Sequence, residues 1–228
     1  MNSEIVMSAI DNSIQSQLTI HVISDIVCPW CYIGKYNLQT ALDKFKQAHP
    51  KRDFTVRWIP YFLNPEIPME GSPYRAFLEN KFGGSAHVDV NCARVTEVGK
   101  SAGIEFSFDS IKLRANTLNA HRLIHRFQQR GDADALVERL YEGYFLLGEH
   151  ISDVELLADI AAECGDDADA VHCYLDSTQG QADVMTLAAQ VQESGVSSVP
   201  FFIFNRRLVV SGAQLPEVLL DAMFKSVD

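Results

Sequence analysis

Residues 18–24, LTIHVIS, alternate Leu18, Ile20 and Val22 with Thr19 and His21. That period of two, with β-branched content in support, predicts a strand. The period then changes. Leu38, Ala41, Leu42 and Phe45 recur at i, i+3, i+4 and i+7, the apolar stripe of an amphipathic helix. Residues 53–61, DFTVRWIPY, predict a second strand, so the chain opens strand–helix–strand, the shape of a βαβ unit. Residues 64–74, NPEIPMEGSPY, hold three prolines and a glycine and form a loop leading out of it.

From 74 to about 178 the pattern is helical. Val137, Leu140, Tyr141 and Tyr144 make one stripe, and Val154, Leu157, Ala158 and Ala161 another. Gly83–Gly84, Gly131 and Gly165 punctuate the helices, and a short extended stretch is expected at Ile104–Phe108. Residues 181–194 are helical again, with Val184, Leu187, Ala188 and Val191 on one face. SSVPFFIFNRRLVVSG predicts two short strands around a turn at Asn205–Arg206, since Asn tolerates positive φ. A last amphipathic helix starts near Gln214 and carries Leu215, Val218, Leu219, Ala222 and Met223 on one side. The order βαβ, helices, αββα predicts an α/β protein in which both chain ends build one sheet around an inserted all-helical block. No internal repeat is visible.

The chain has 228 residues, 47% hydrophobic and 21% charged, which is ordinary globular usage. Nineteen Lys and Arg against thirty Asp and Glu give a formal net charge of −11. Such a chain repels nucleic acid and anionic lipid, so neither is an expected partner. No apolar run approaches the ~20 residues of a membrane span. Residues 1–17 lack Lys and Arg, carry Glu4, and break their apolar patch at Ser8. They read as a polar extension rather than a secretory signal, and the expected compartment is the cytoplasm. In that reducing setting Cys28, Cys31, Cys92, Cys164 and Cys173 are not expected to form structural disulfides. Their odd number leaves at least one without an intramolecular partner.

Cys28-Pro29-Trp30-Cys31 lies where the first strand gives way to the first helix. Pro29 suits the first helical turn, where its missing N–H is not needed. A cysteine at a helix N-terminus faces free N–H groups and the positive end of the dipole, both of which favour thiolate. Cys28 is therefore the candidate attacking sulfur. Cys31, one turn deeper on the same side, can close a disulfide or resolve a mixed one. Pro29 stiffens the turn, and Trp30 adds bulk beside the sulfur where substrate would lie. A zinc site needs four ligands, and Cys164, Cys173 and His172 supply no second C-x-x-C, so no metal is expected. Val199-Pro200 opens a strand, a place where proline is tolerated in sheets.

SDIVCPWCYIGK, GVSSVPFFIFN, VSGAQLPEVL and the insert segment RANTLNAHRL resemble the DsbA-like branch of the thioredoxin superfamily, and within it the cytoplasmic FrnE-like dithiol-disulfide isomerases. The resemblance covers nearly the whole chain from about Leu18. It implies a thioredoxin fold from 18–67 and 179–228 with a helical domain, 68–178, inserted between. It implies that Cys28 is the nucleophile, Cys31 the resolving cysteine and Pro200 the cis-proline beside them. Val199 would offer its backbone to an extended substrate. No cofactor is implied beyond the redox-active Cys28–Cys31 disulfide, with glutathione as a candidate co-substrate. The implied partner is a disulfide-containing protein or a small thiol, and the chain would act as monomer or homodimer. Kappa-class glutathione transferases and 2-hydroxychromene-2-carboxylate isomerases are similar but carry Ser where this chain has Cys28. They supply the alternative of a glutathione-dependent isomerase or transferase; a non-catalytic binder is a third reading. Some FrnE-like proteins have a second cysteine pair near the C-terminus, whereas Cys164 and Cys173 here fall inside the insert.

Other residues carry weaker expectations. Asp25, three residues before Cys28, is a candidate proton relay for Cys31, or a helix cap. Lys35 reads as a solvated helix charge and His21 as a packed strand residue. Asn116, Thr117 and His121 are candidates for the cleft, with helix capping the competing role for the first two. Ser211–Gly212 reads as a turn, with donation to a glutathione carboxylate as the alternative. Trp58, Phe62, Tyr141, Tyr144 and Phe145 read as core, and the DADAL and CGDDAD clusters as solvated helix starts.

Overall fold

Strand β1 (Leu18–Ser24) is the strand on which the sheet is assembled. In the computed structural model, which describes residues 17–227, it leads into α1 (Pro29–Ala48) and then β2 (Phe54–Pro60). β2 pairs with β1 in parallel, Leu18 opposite Phe54 and Ser24 opposite Pro60. The polar extension expected at 1–17 lies outside the described residues except for Gln17. Next come the two-residue β3 (Ser72–Pro73), α2 (Tyr74–Phe82), α3 (Ser85–Ser101) and the two-residue β4 (Leu113–Arg114). Helices α4 (Leu118–Arg130), α5 (Asp134–Glu142), α6 (Val154–Glu163) and α7 (Ala168–Asp176) follow. The chain returns through α8 (Gln181–Glu193), β5 (Phe201–Phe204), β6 (Leu208–Ser211) and α9 (Pro216–Val227).

The mixed sheet runs β2-β1-β5-β6, with β5 antiparallel to β1 and β6 antiparallel to β5. Leu18, Ile20 and Val22 of β1 are buried, as are Phe202 and Phe204 of β5. The β5–β6 turn has φ of 50° at Asn205 and 57° at Arg206, the paired positive values of a hairpin turn whose twist matches its strands. Asn205 does more than turn. Its Oδ1 accepts from Thr19 N at 2.8 Å and its Nδ2 donates to Ser226 O at 3.1 Å, tying the hairpin to β1 and α9.

Edge strands leave backbone groups unpaired. On β2 the Gln128 side chain acts as a substitute strand: Trp58 N donates to its Oε1 at 2.7 Å, and its Nε2 donates to Trp58 O at 3.0 Å. A buried arginine does comparable work at the end of α7. Arg122 donates to the carbonyls of Tyr174, Leu175, Ser177 and Gln179 at 2.7–3.0 Å, groups that a helix end would otherwise leave unsatisfied.

Several expectations need adjustment. Ile104–Phe108 forms no strand: a loop runs into a 3-10 turn at Phe108–Ser110, and the short β3–β4 pairing joins Ser72–Pro73 to Leu113–Arg114. The stripe at Val137–Tyr144 is continuous, but α5 ends at Glu142 and Gly143–Leu147 continues as a π-helical turn. Among the described residues no helix is long and apolar enough to cross a membrane.

Helix α1 meets β5 at Gly34. A Cβ there would sit 2.9 Å from Pro200 Cγ and 3.2 Å from Phe202 Cζ. Glycine is thus required by closeness of approach. Gly34→Val overpacks this contact and should destabilise the protein by about 1–3 kcal/mol, read as a fall in denaturation midpoint. An unchanged midpoint would show that α1 and β5 are not packed this closely.

Candidate active site

Cys28 is the N-cap of α1, with φ −101° and ψ 110°, and Pro29 occupies the first helical turn. The Cys28 carbonyl accepts from Cys31 N at 3.0 Å and Tyr32 N at 3.3 Å, starting the helix. Its side chain makes no cap bond, so the sulfur is left beside the free N–H groups of the first turn. The two thiols are free and differ in setting: Cys28 is 5% exposed and borders a cleft, while Cys31 is 1% exposed. A hydrogen bond from Cys31 lowers the Cys28 pKa, helped by the Cys31 and Trp30 N–H groups; burial and the Asp25 charge oppose it, and the net shift is downward. Burial raises the Cys31 pKa well above the ordinary thiol range, and its bond to Cys28 adds to the rise.

Val199–Pro200, more than 160 residues away in the chain, faces this pair. The Val199 carbonyl oxygen lies 4.0 Å from Cys28 Sγ, and the Val199–Pro200 peptide is cis. Ser211 ends β6, correcting the expected turn there, and Gly212 in the bend that follows donates its N–H to Pro200 O at 2.8 Å. Trp30 is half-buried, and the Arg94 guanidinium of α3 lies over its ring at 5.4 Å.

Behind the dithiol, the insert grips residues 25–28. Asp25 is 1% exposed; its Oδ2 accepts from Leu63 N at 2.9 Å and its Oδ1 lies 3.5 Å from His121 Nε2 of α4. Burial pushes the Asp25 carboxyl up, but the His121 imidazole, the Leu63 N–H and Arg114 outweigh it and hold the carboxyl below its ordinary value. Tyr141 OH of α5 donates to Asp25 O at 3.5 Å, and Arg114 Nη1 of β4 donates to Val27 O at 2.9 Å. Thus Asp25 and His121 meet beneath the cysteines.

Asn116 instead caps: its Oδ1 accepts from Leu118 N at 2.9 Å, and its Nδ2 donates to Ile67 O at 2.6 Å. Thr117 precedes α4 without a side-chain cap bond. His21 stays on β1, half-buried, its pKa lowered by burial and by Arg206 and Arg57. Lys35 corrects the expectation of a solvated charge. It is buried and ion-paired with Glu138 of α5, which also accepts from Tyr32 OH at 3.2 Å. Packing of α5 over α1 covers that position, which helical period alone does not reveal.

A cleft of about 390 Å³ opens beside Cys28, Pro29, Trp30 and Val199. Its far wall is aromatic and cationic, with Phe77, Lys81 and Arg114 among its residues. The sequence pattern did not mark these three for function; Arg114 opens the RANTLNAHRL segment but shows its position only in the folded chain.

With this geometry in place, comparison with known proteins is informative. The model of the DSBA-like thioredoxin domain family matches residues 19–224. A probable DsbA oxidoreductase from Streptomyces coelicolor is 28% identical, with a TM-score of 0.82 over 92% of this chain and 89% of that one. The cytosolic disulfide reductase DsbM from Pseudomonas aeruginosa, solved with GSH, is 15% identical, with a TM-score of 0.62 over 92% of this chain and 95% of that one. A 2-hydroxychromene-2-carboxylate isomerase is 16% identical, with a TM-score of 0.67 over 91% of this chain and 95% of that one. The last two share the fold.

The thiol pKa values move in opposite directions, so alkylation should separate them. Only thiolate reacts, hence Cys28 modification by iodoacetamide should rise with pH through a midpoint below that of free cysteine and then level off. Cys31 should stay unreactive until far more alkaline pH. Mass mapping of the alkylated cysteine checks this; equal reactivity at pH 7 would refute it.

Proposed function

The chain belongs to the DSBA-like thioredoxin domain family, and on that premise we propose that it is a thiol–disulfide oxidoreductase working through the Cys28–Cys31 dithiol. The observation that carries this reading is the asymmetry of the pair. Cys28 stands at the helix N-terminus on a cleft with its thiol pKa lowered, and Cys31 lies buried behind it with its thiol pKa raised. A low-pKa sulfur bordering the cleft attacks; a protonated sulfur behind it waits.

Cys28 thiolate attacks one sulfur of a substrate disulfide. The S–S bond breaks, a Cys28–substrate mixed disulfide forms, and the expelled thiolate takes a proton from solvent. Cys31 then loses its proton and attacks Cys28 Sγ, releasing the second substrate thiol. The substrate disulfide is reduced and the dithiol becomes a disulfide. Asp25, whose charge bears on both thiols, is the proposed acceptor of the Cys31 proton, with His121 as its neighbour. The Val199 carbonyl and Pro200 align the substrate beside the sulfur, with Pro29 and Trp30 on the rim of the cleft.

Two molecules of a thiol such as glutathione return the disulfide to the dithiol and become one oxidised molecule. The likeness to a cytosolic disulfide reductase solved with GSH supports glutathione in that part and a cytoplasmic setting. A midpoint near or below the cytosolic poise, about −220 to −320 mV, makes the protein a reductase, and a much higher one an oxidant or isomerase.

Cys31→Ser should accumulate a Cys28–glutathione mixed disulfide when incubated with oxidised glutathione, visible by intact mass. Cys28→Ser should form none and lose essentially all exchange activity. Full turnover by Cys28→Ser would overturn the dithiol reading, and glutathione bound without a covalent link would then favour the glutathione-dependent isomerase or transferase.

A further inference from the structure

The cleft beside Cys28 contains two cations, Arg114 and Lys81, that neither attack nor carry a proton in the dithiol chemistry. Arg114 is 5% exposed. Its Nη1 donates to Val27 O at 2.9 Å and its Nη2 to Asn64 Oδ1 at 2.6 Å, which fixes the guanidinium next to the residue preceding Cys28. Its Nε is buried and has no hydrogen-bond partner. Lys81, from α2, lines the same cleft. Both cations lie over the Phe77 ring, at 5.2 Å for Arg114 and 5.8 Å for Lys81.

Among the described residues neither cation has a carboxylate within 4 Å. That is an unusual arrangement in a chain of net charge −11. Glu66 and Asp25 act on Lys81 without pairing with it, and Arg114 acts on Asp25 in the same way. Burial lowers the Lys81 pKa, and the Arg114 charge lowers it further, so the two cations are held together at an electrostatic cost. A bound anion would relieve that cost. Phe77, Leu78, Phe82 and Val95 give the wall an apolar stretch, while Asn91, Ser197 and Ser198 are polar.

We propose that this cleft selects small disulfides and mixed disulfides whose apolar body carries a carboxylate or similar anion. The body would lie on Phe77 and Leu78, the anion between Arg114 and Lys81, and the scissile sulfur at Cys28. The assignment rests on the oxidoreductase reading for its substrate, while the anion site itself stands on the cleft. Arg114 and Lys81 are specificity residues; the sulfur exchange remains that of Cys28 and Cys31.

Two measurements test it. In the first, the reduced protein is mixed with dithiobis-nitrobenzoate, an anionic aromatic disulfide, and with dithiodipyridine, a neutral one. Each rate is divided by that reagent's rate with free cysteine. The normalised rate should favour the anion by about tenfold, the range of a charge-assisted hydrogen bond, and the preference should shrink with added salt. Lys81→Gln should reduce the preference severalfold, and Arg114→Gln should reduce it further. An anion preference that is absent, or unmoved by either substitution, overturns the proposal.

The second measurement needs no exchange chemistry. The thioether ortho-methylthiobenzoate cannot react with a thiol, and its binding can be followed by quenching of tryptophan fluorescence, Trp30 being on the rim. Saturable binding, about tenfold weaker for the methyl ester and weaker in Lys81→Gln, supports the anion site. Equal binding of acid and ester, or none of the acid, overturns it. Should the thioether bind while no disulfide is exchanged, the anion site holds and the oxidoreductase reading falls. Exchange without charge preference removes this inference alone.

Discussion

The site depends on one close contact between segments far apart in the chain. Helix α1 can lie against β5 only because Gly34 presents no Cβ to Pro200 and Phe202. That approach brings Val199 O to 4.0 Å from Cys28 Sγ. Residues 28–34 and 199–202 are joined by α1, β2, six further helices and α8. Everything between must therefore fold with its two ends close together. β1 enforces this by pairing with β2 on one side and β5 on the other. The sheet sets the distance between the chain ends, and the glycine allows the helix to use it.

The inserted helices do more than connect. Three side chains from three insert elements hold the short segment between β1 and α1. Arg114 takes the carbonyl of Val27, Tyr141 that of Asp25, and His121 lies against the Asp25 carboxylate. Lys35 and Tyr32 of α1 meet Glu138 of α5 in the same way. Asp25 Oδ1, His121 Nε2 and Arg114 Nε in this layer lack hydrogen-bond partners, so it fixes geometry more than it adds stability. The dithiol is thereby held from behind by the insert and faced from the front by the Val199–Pro200 loop. Its cleft lies between the two, with α2 and α3 forming the outer wall. A change deep in α4 or α5 can thus alter Cys28 without touching it.

The sequence disclosed what is set locally. β1 and α1 follow from their own periods, the turn at Asn205–Arg206 from an asparagine tolerant of positive φ, and the position of Cys28 from a strand ending before Pro29. The resemblance drawn from C-P-W-C and V-P agrees with the family match over residues 19–224. What stayed hidden depends on contacts across long separations. Nothing near Arg114 in the chain marks it as a neighbour of Val27, 87 residues earlier. Lys35 reads as solvated because its own helix gives no sign of Glu138, 103 residues later. Ile104–Phe108 looks extended because its apolar spacing fits a strand, but no neighbouring strand offers a ladder. Periodicity identifies which face of an element is buried; it does not identify the partner.

Charge distribution links these levels. A net charge of −11 would discourage an anionic thiolate if it were spread evenly around the sulfur. The fold separates the signs instead. Asp25, a carboxylate whose charge opposes the Cys28 thiolate, is tied to Leu63 N and placed against His121, so its influence is partly met from the other side. Lys81, with its cation on the cleft, gains from the Cys28 thiolate, and the attraction is mutual. The helix N-terminus adds its own positive end at the same sulfur. Cys31 lies one turn further into α1, where burial dominates and the thiol stays protonated. One turn of helix separates a sulfur that can attack from one that must first lose a proton. In the proposed mechanism, the order of the two chemical steps follows from the position of the dithiol at the start of α1.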